Sequence, residues 1–104
     1  MLKDNIRNID KYISLDPALG GFRSGEMHDI RVDESFVVDR DRTTLFLVGK
    51  GRCSFALSWR ENENNREVLA VMDAAEGDFV LYLPGEPYTL RPQEDSLVRM
   101  WRAV

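Results

Sequence analysis

The chain has almost no cysteine, almost no histidine and no long apolar run. Its one cysteine, Cys53, closes no internal disulfide, so the fold must rest on packing, and the chain fits a reducing, cytoplasmic compartment. Its one histidine, His28, leaves no multi-histidine ligand set, whereas a transition-metal site needs several convergent N, O or S donors. No apolar stretch reaches signal-peptide or transmembrane length, so no membrane partner is expected. Positive charge is in the minority: the formal net charge is −4 and no run of Lys or Arg is present. That argues against non-specific nucleic-acid binding and against an anionic-membrane patch, both of which need a basic surface. Internal repeats and low-complexity segments are also absent.

What is present suits one globular domain. The 104 residues are 43% hydrophobic and 31% charged. A chain of this size buries roughly two-thirds of its unfolded surface and folds without staples. The reading is a single domain over residues 1–104, with a helical segment over 1–24 packed on a β-rich remainder.

Ile6, Ile9 and Ile13 recur at helical spacing, which predicts a short helix over Asn5 to Leu15 with Asp4 as its cap. Asp16-Pro17 restarts a turn that Gly20-Gly21 ends. Beyond Gly25 the period becomes alternating. Strands are predicted over His28 to Val32, Ser35 to Asp39, Thr43 to Val48, Arg52 to Trp59 and Glu67 to Met72. Further strands are predicted over Phe79 to Leu83, Tyr88 to Arg91 and Leu97 to Ala103. The continuous apolar run at Phe79 suits a strand covered on both faces. Gly49-Lys50-Gly51, the polar Arg60 to Arg66, Glu76-Gly77-Asp78 and Pro84-Gly85-Glu86-Pro87 supply the turns. Many short strands with one leading helix mean an antiparallel sandwich or barrel.

Gly77-Asp78-Phe79-Val80-Leu81-Tyr82-Leu83-Pro84-Gly85-Glu86-Pro87-Tyr88 resembles the second cupin motif, a glycine turn and strand followed by a Pro-Gly corner. Thr43 to Gly51 resembles the end of the first motif. With Gly25-Glu26-Met27-His28-Asp29-Ile30, the chain is similar to the YhcH/YjgK/YiaL family, which includes the small subunit of evolved β-galactosidase. The resemblance implies a cupin-like double-stranded β-helix, a small antiparallel barrel or jelly roll with a short N-terminal helix. It also implies a lumen for a sugar-related ligand and a link to carbohydrate metabolism. The family's metal ligands do not carry over. Tyr88 stands in place of the second-motif histidine, Arg42 roughly in place of the first-motif glutamate, and Ser35 to Val38 near the His-x-His positions. The expectation is a protein without metal or other cofactor.

Strand parity puts Arg42, Thr44, Phe46 and Val48 on one side. If that side is the lumen, Arg42 and Tyr88 meet where the metal would sit, and a guanidinium there suits a carboxylate or phosphate. The plainer reading is a solvated arginine beside Asp39, Arg40 and Asp41. Glu86 at the Pro-Gly corner and His28 are proton-transfer candidates, or an exposed carboxylate and an exposed or structural imidazole. Tyr82 and Trp101 are stacking faces for a sugar ring, or core. Glu26, Asp29, Asp33 and Glu34 form a polar cluster or a solvated strand end. Cys53, alternating with Phe55 and Leu57, reads as a buried thiol.

Three functions follow. The leading one is a metal-free small-molecule-binding protein for a sugar acid or sugar phosphate. The alternatives are a sugar isomerase, epimerase or lyase, and an accessory subunit that modulates a partner. The apolar last strand, with Leu97, Val98, Met100, Trp101 and Val104, predicts a homodimer.

Overall fold

The structure is a computed structural model that describes residues 1–22, 27–30, 42–61, 66–86, 88–93 and 95–103. The predicted strand over Ser35 to Asp39 lies outside the described residues. The chain is mainly β. The strands are β1 (Leu2–Asn5), β2 (His28–Ile30), β3 (Thr44–Lys50), β4 (Arg52–Glu61), β5 (Arg66–Ala75), β6 (Asp78–Tyr82), β7 (Tyr88–Pro92) and β8 (Leu97–Arg102). The helix α1 (Ile9–Leu15) lies between β1 and β2, flanked by 3-10 turns at Ile6–Asn8 and Pro17–Gly21.

The strands form two antiparallel sheets. One is five-stranded, in the order β1-β6-β3-β8-β2; the other is three-stranded, in the order β5-β4-β7. Among the described residues the two sheets do not close into a barrel.

Alternation along the larger sheet assigns its residues to two cores. Phe46, Val48, Val80, Tyr82 and Val98 face the smaller sheet and pack with Cys53, Phe55, Ala74 and Leu90. Leu45, Phe79, Leu81 and Trp101 face the other way, onto Ile9 and Leu19 of the N-terminal segment. Helix and 3-10 turns thus cover one face, and the smaller sheet the other. This is why the run at Phe79 is continuously apolar: neither face meets water.

Double coverage also accounts for the last strand. β8 is an interior strand between β3 and β2, and Val98 and Trp101 are buried in opposite cores. Two of the residues from which a homodimer was expected, Val98 and Trp101, therefore pack within the chain, while Leu97 and Met100 are half-buried and Val104 lies outside the described residues. A second difference lies at the start. The helix expected over Asn5 to Leu15 begins at Ile9, and Leu2–Asn5 form β1, paired to β6 with Leu2 opposite Leu81 and Asn5 opposite Asp78. Asn5, not Asp4, caps the turn that follows, its side chain accepting from the Arg7 backbone N–H at 3.0 Å.

One end of the sandwich is tied by turns. The Ile6 amide donates to the Gly77 carbonyl at 2.7 Å, and the Gly77 amide to the Val48 carbonyl at 2.9 Å. Along one side, Lys3 Nζ of β1 donates to the Asp73 carbonyl of β5 at 3.0 Å, joining the two sheets.

Candidate functional site

The inter-sheet face grades from apolar to polar along its length. Towards the tied end it holds Val48, Val98, Cys53 and Ala74, with Val80 and Leu90 in register beside Phe46 and Phe55. At mid-length an aromatic group fills it. Phe46 lies 5.5 Å from Phe55 and 5.7 Å from Tyr82, centroid to centroid, and all three are fully buried. Level with Tyr82 of that group come Thr44 on β3 and Arg102 on β8, which pair directly in register. Thr44 is buried and Arg102 half-buried. Arg42 precedes β3 by two residues, at a bend, and is exposed.

The candidate residues divide accordingly. Tyr82 is core: its ring is edge-on to Phe46, and its hydroxyl donates to the Ala56 carbonyl at 2.9 Å across the gap between the sheets. Trp101 is core on the opposite face, edge-on to Phe22 at 5.6 Å. Neither presents a free ring face to solvent. Tyr88 opens β7 and pairs in register with Leu57 of β4, which places its backbone in the smaller sheet.

Glu86 is already engaged. One carboxylate oxygen accepts from the Met1 ammonium at 2.6 Å and the other from the Leu83 amide at 2.8 Å. The carboxylate thus closes the Pro-Gly corner and holds the first residue against it. His28 is exposed on β2, opposite Met100 of β8. Glu86 follows β6, and β3 and β8 stand between β6 and β2. At one strand spacing each, that puts roughly 14 Å between the two strands, so the structure does not bring Glu86 and His28 together for a shared proton transfer. Beside His28, Asp29 pairs with Arg99 at 3.2 Å, an exposed contact. Glu26, Asp33 and Glu34 lie outside the described residues.

Among the described residues no three His, Cys, Asp or Glu side chains gather into a metal-ligand group. Cys53 is buried, and loss of hydration pushes its thiol up to about 12, with a smaller opposing effect from a backbone hydrogen bond at Arg91. It is a packing residue, held protonated. Among the described residues no helix is long and apolar enough to cross a membrane.

Arg102 is the residue that sequence reading passed over. Val98 and Met100 share its parity and pack in the inter-sheet core, so the alternation along the last strand already carried the signal. No protein-family model matches the chain, and no curated protein matches it in sequence.

Proposed function

We propose that this protein is a metal-free small-molecule-binding protein of the cupin-like, jelly-roll kind, similar to the YhcH/YjgK/YiaL family, taking a sugar acid or sugar phosphate. The strand pairing supports the fold part of this reading. β2 pairs with β8, β3 with β6 and β4 with β5, nested about residues 62–65 as in one long hairpin rolled up on itself. The observation that carries the ligand part is the position of Arg42. It stands exposed two residues before the buried Thr44, so an anion reaches that end of the larger sheet without entering the filled aromatic middle.

Thermal unfolding against neutral sugars, sugar acids and sugar phosphates, with and without chelator, tests the reading. A ligand at a hundred times its dissociation constant stabilises by about 2.7 kcal/mol. The expected result is a chelator-insensitive rise with acidic compounds alone, absent in Arg42→Ala. A rise abolished by chelator would replace the anion site with a metal site.

A second reading has one observation in its favour. Phe46, Phe55 and Tyr82 fill the middle of the inter-sheet space, as an accessory subunit acting through its surface would allow. No stabilisation by any compound would favour that reading, and the search would move to a protein partner.

A further inference from the structure

The β3–β8 register brings a second arginine to the end where Arg42 stands, and the inference drawn from it rests on the ligand-binding reading above. Thr44 lies opposite Arg102, and the pairing continues through the Ala103 amide to the Thr43 carbonyl at 2.9 Å. Arg42, two residues before Thr44, therefore stands at the same end of the larger sheet as Arg102. Two residues of chain and one strand spacing put their backbones at most about 12 Å apart, within reach of two long side chains converging on one group. We propose that Arg42 and Arg102 together form a site for a dianionic phosphate monoester, with Arg102 the inner residue that selects phosphate over carboxylate.

The chemistry follows from geometry and charge. A phosphate monoester carries about −1.5 to −2 charges at neutral pH and three acceptor oxygens. Two guanidinium forks can each take two of those acceptors, whereas a carboxylate has only two oxygens and one charge to share between them. Arg102 is half-buried beside the buried Thr44 and Tyr82, so its charge is screened less than that of the exposed Arg42. Glu86, which follows β6, has its charge matched by the Met1 ammonium. Both arginines also interact with the protein around them, so phosphate must compete with those contacts, and exchange with them supplies selectivity.

Calorimetric titration of the full chain with a hexose monophosphate, a hexuronate and inorganic phosphate tests the site. The expected result is at least tenfold tighter binding of the hexose monophosphate than of the hexuronate, reduced tenfold or more in Arg102→Lys, which keeps the charge and loses the fork. Equal affinity for the phosphate and carboxylate sugars in the unaltered protein would overturn the inference without any variant, so a failure of Arg102→Lys to fold does not protect it. Binding lost in Arg42→Ala but unchanged in Arg102→Lys would leave the Arg42 reading standing and remove this one. Inorganic phosphate binding as tightly as the hexose monophosphate would mean a counterion site only and would also overturn it. No binding by any acid would remove both readings.

Discussion

The Tyr82 hydroxyl donates to the Ala56 carbonyl at 2.9 Å, the polar end of a buried aromatic group that otherwise joins the two sheets by packing alone. Ala56 already lies between Val71 and Thr89 in its own sheet, so its carbonyl receives this bond from the opposite layer. Tyr82→Phe keeps the ring and removes the bond. The expected loss is about 1–2 kcal/mol, since the hydroxyl's partner is left in a dry region. Tyr82→Ala should cost about 3–5 kcal/mol through the cavity it opens. Denaturant unfolding of both variants checks this; a neutral Tyr82→Phe would show that water replaces the hydroxyl.

Two glycines with the same backbone conformation should respond differently to alanine. Gly51 and Gly85 have φ of 75° and 85°, a region that costs other residues about 1–2 kcal/mol. A Cβ at Gly51 would also collide with Ser96 Oγ, which accepts from the Arg52 amide at 3.0 Å, whereas a Cβ at Gly85 meets nothing within 4 Å. Gly85→Ala should therefore cost the conformational part alone, and Gly51→Ala clearly more. Combining Gly51→Ala with Ser96→Gly should recover part of the difference, since it also removes the acceptor of the Arg52 amide and leaves the backbone at residue 96 within 3.1 Å. Equal midpoints for the two single variants in urea would mean that the Ser96 loop yields freely.

Period and punctuation made most of this architecture readable. Cys53 and Phe55 are buried as their alternation requires, and Glu76-Gly77 turns where its glycine demands a positive φ. Long-range pairing left no such mark. Leu2 to Asn5 has no alternating pattern of its own; it is a strand because β6 offers an unpaired edge. The Glu86 carboxylate looked like any loop acid, because its partner is 85 residues away. Arg42 was visible through its departure from a motif, while alternation gave Arg102 its face but not the Thr44 that the register sets opposite it.

Cys53 provides a probe of opening between the sheets. Burial pushes its thiol up to about 12, so the folded state favours the protonated form. That contribution is complete below the ordinary thiol value and is lost as pH rises towards about 12. A disulfide reagent at pH 8 should leave Cys53 unmodified in the folded protein and modify it stoichiometrically in denaturant. Rapid native modification would mean that β4 and β7 separate readily.

The N-terminal segment should detach at both ends of the pH scale for one reason. The Tyr12 hydroxyl donates to an Asp4 oxygen at 2.5 Å, while the Asn8 amide and the Asn5 backbone N–H donate to the other oxygen. These three donors, Tyr12 foremost, hold the Asp4 carboxyl below its ordinary value; the bond to Asp4 holds the Tyr12 phenol above its own. A depressed carboxyl contributes stability that is present above its unfolded value near 4 and lost as pH falls through the folded one. A raised phenol contributes stability that is present below about 10 and lost as pH rises beyond it. Between these limits the contact fixes Tyr12, whose ring is edge-on to Phe79 at 5.3 Å, and so docks α1 on the larger sheet. Asp4→Asn should lower the melting temperature by a constant amount from pH 5 to 9, and the gap from the unaltered protein should narrow below pH 4. Tyr12→Phe keeps the ring contact and should remove the alkaline fall without loosening the helix as Tyr12→Ala would. A melting-temperature gap for Asp4→Asn that stays the same down to pH 2 would show that the carboxylate charge plays no part in docking the segment.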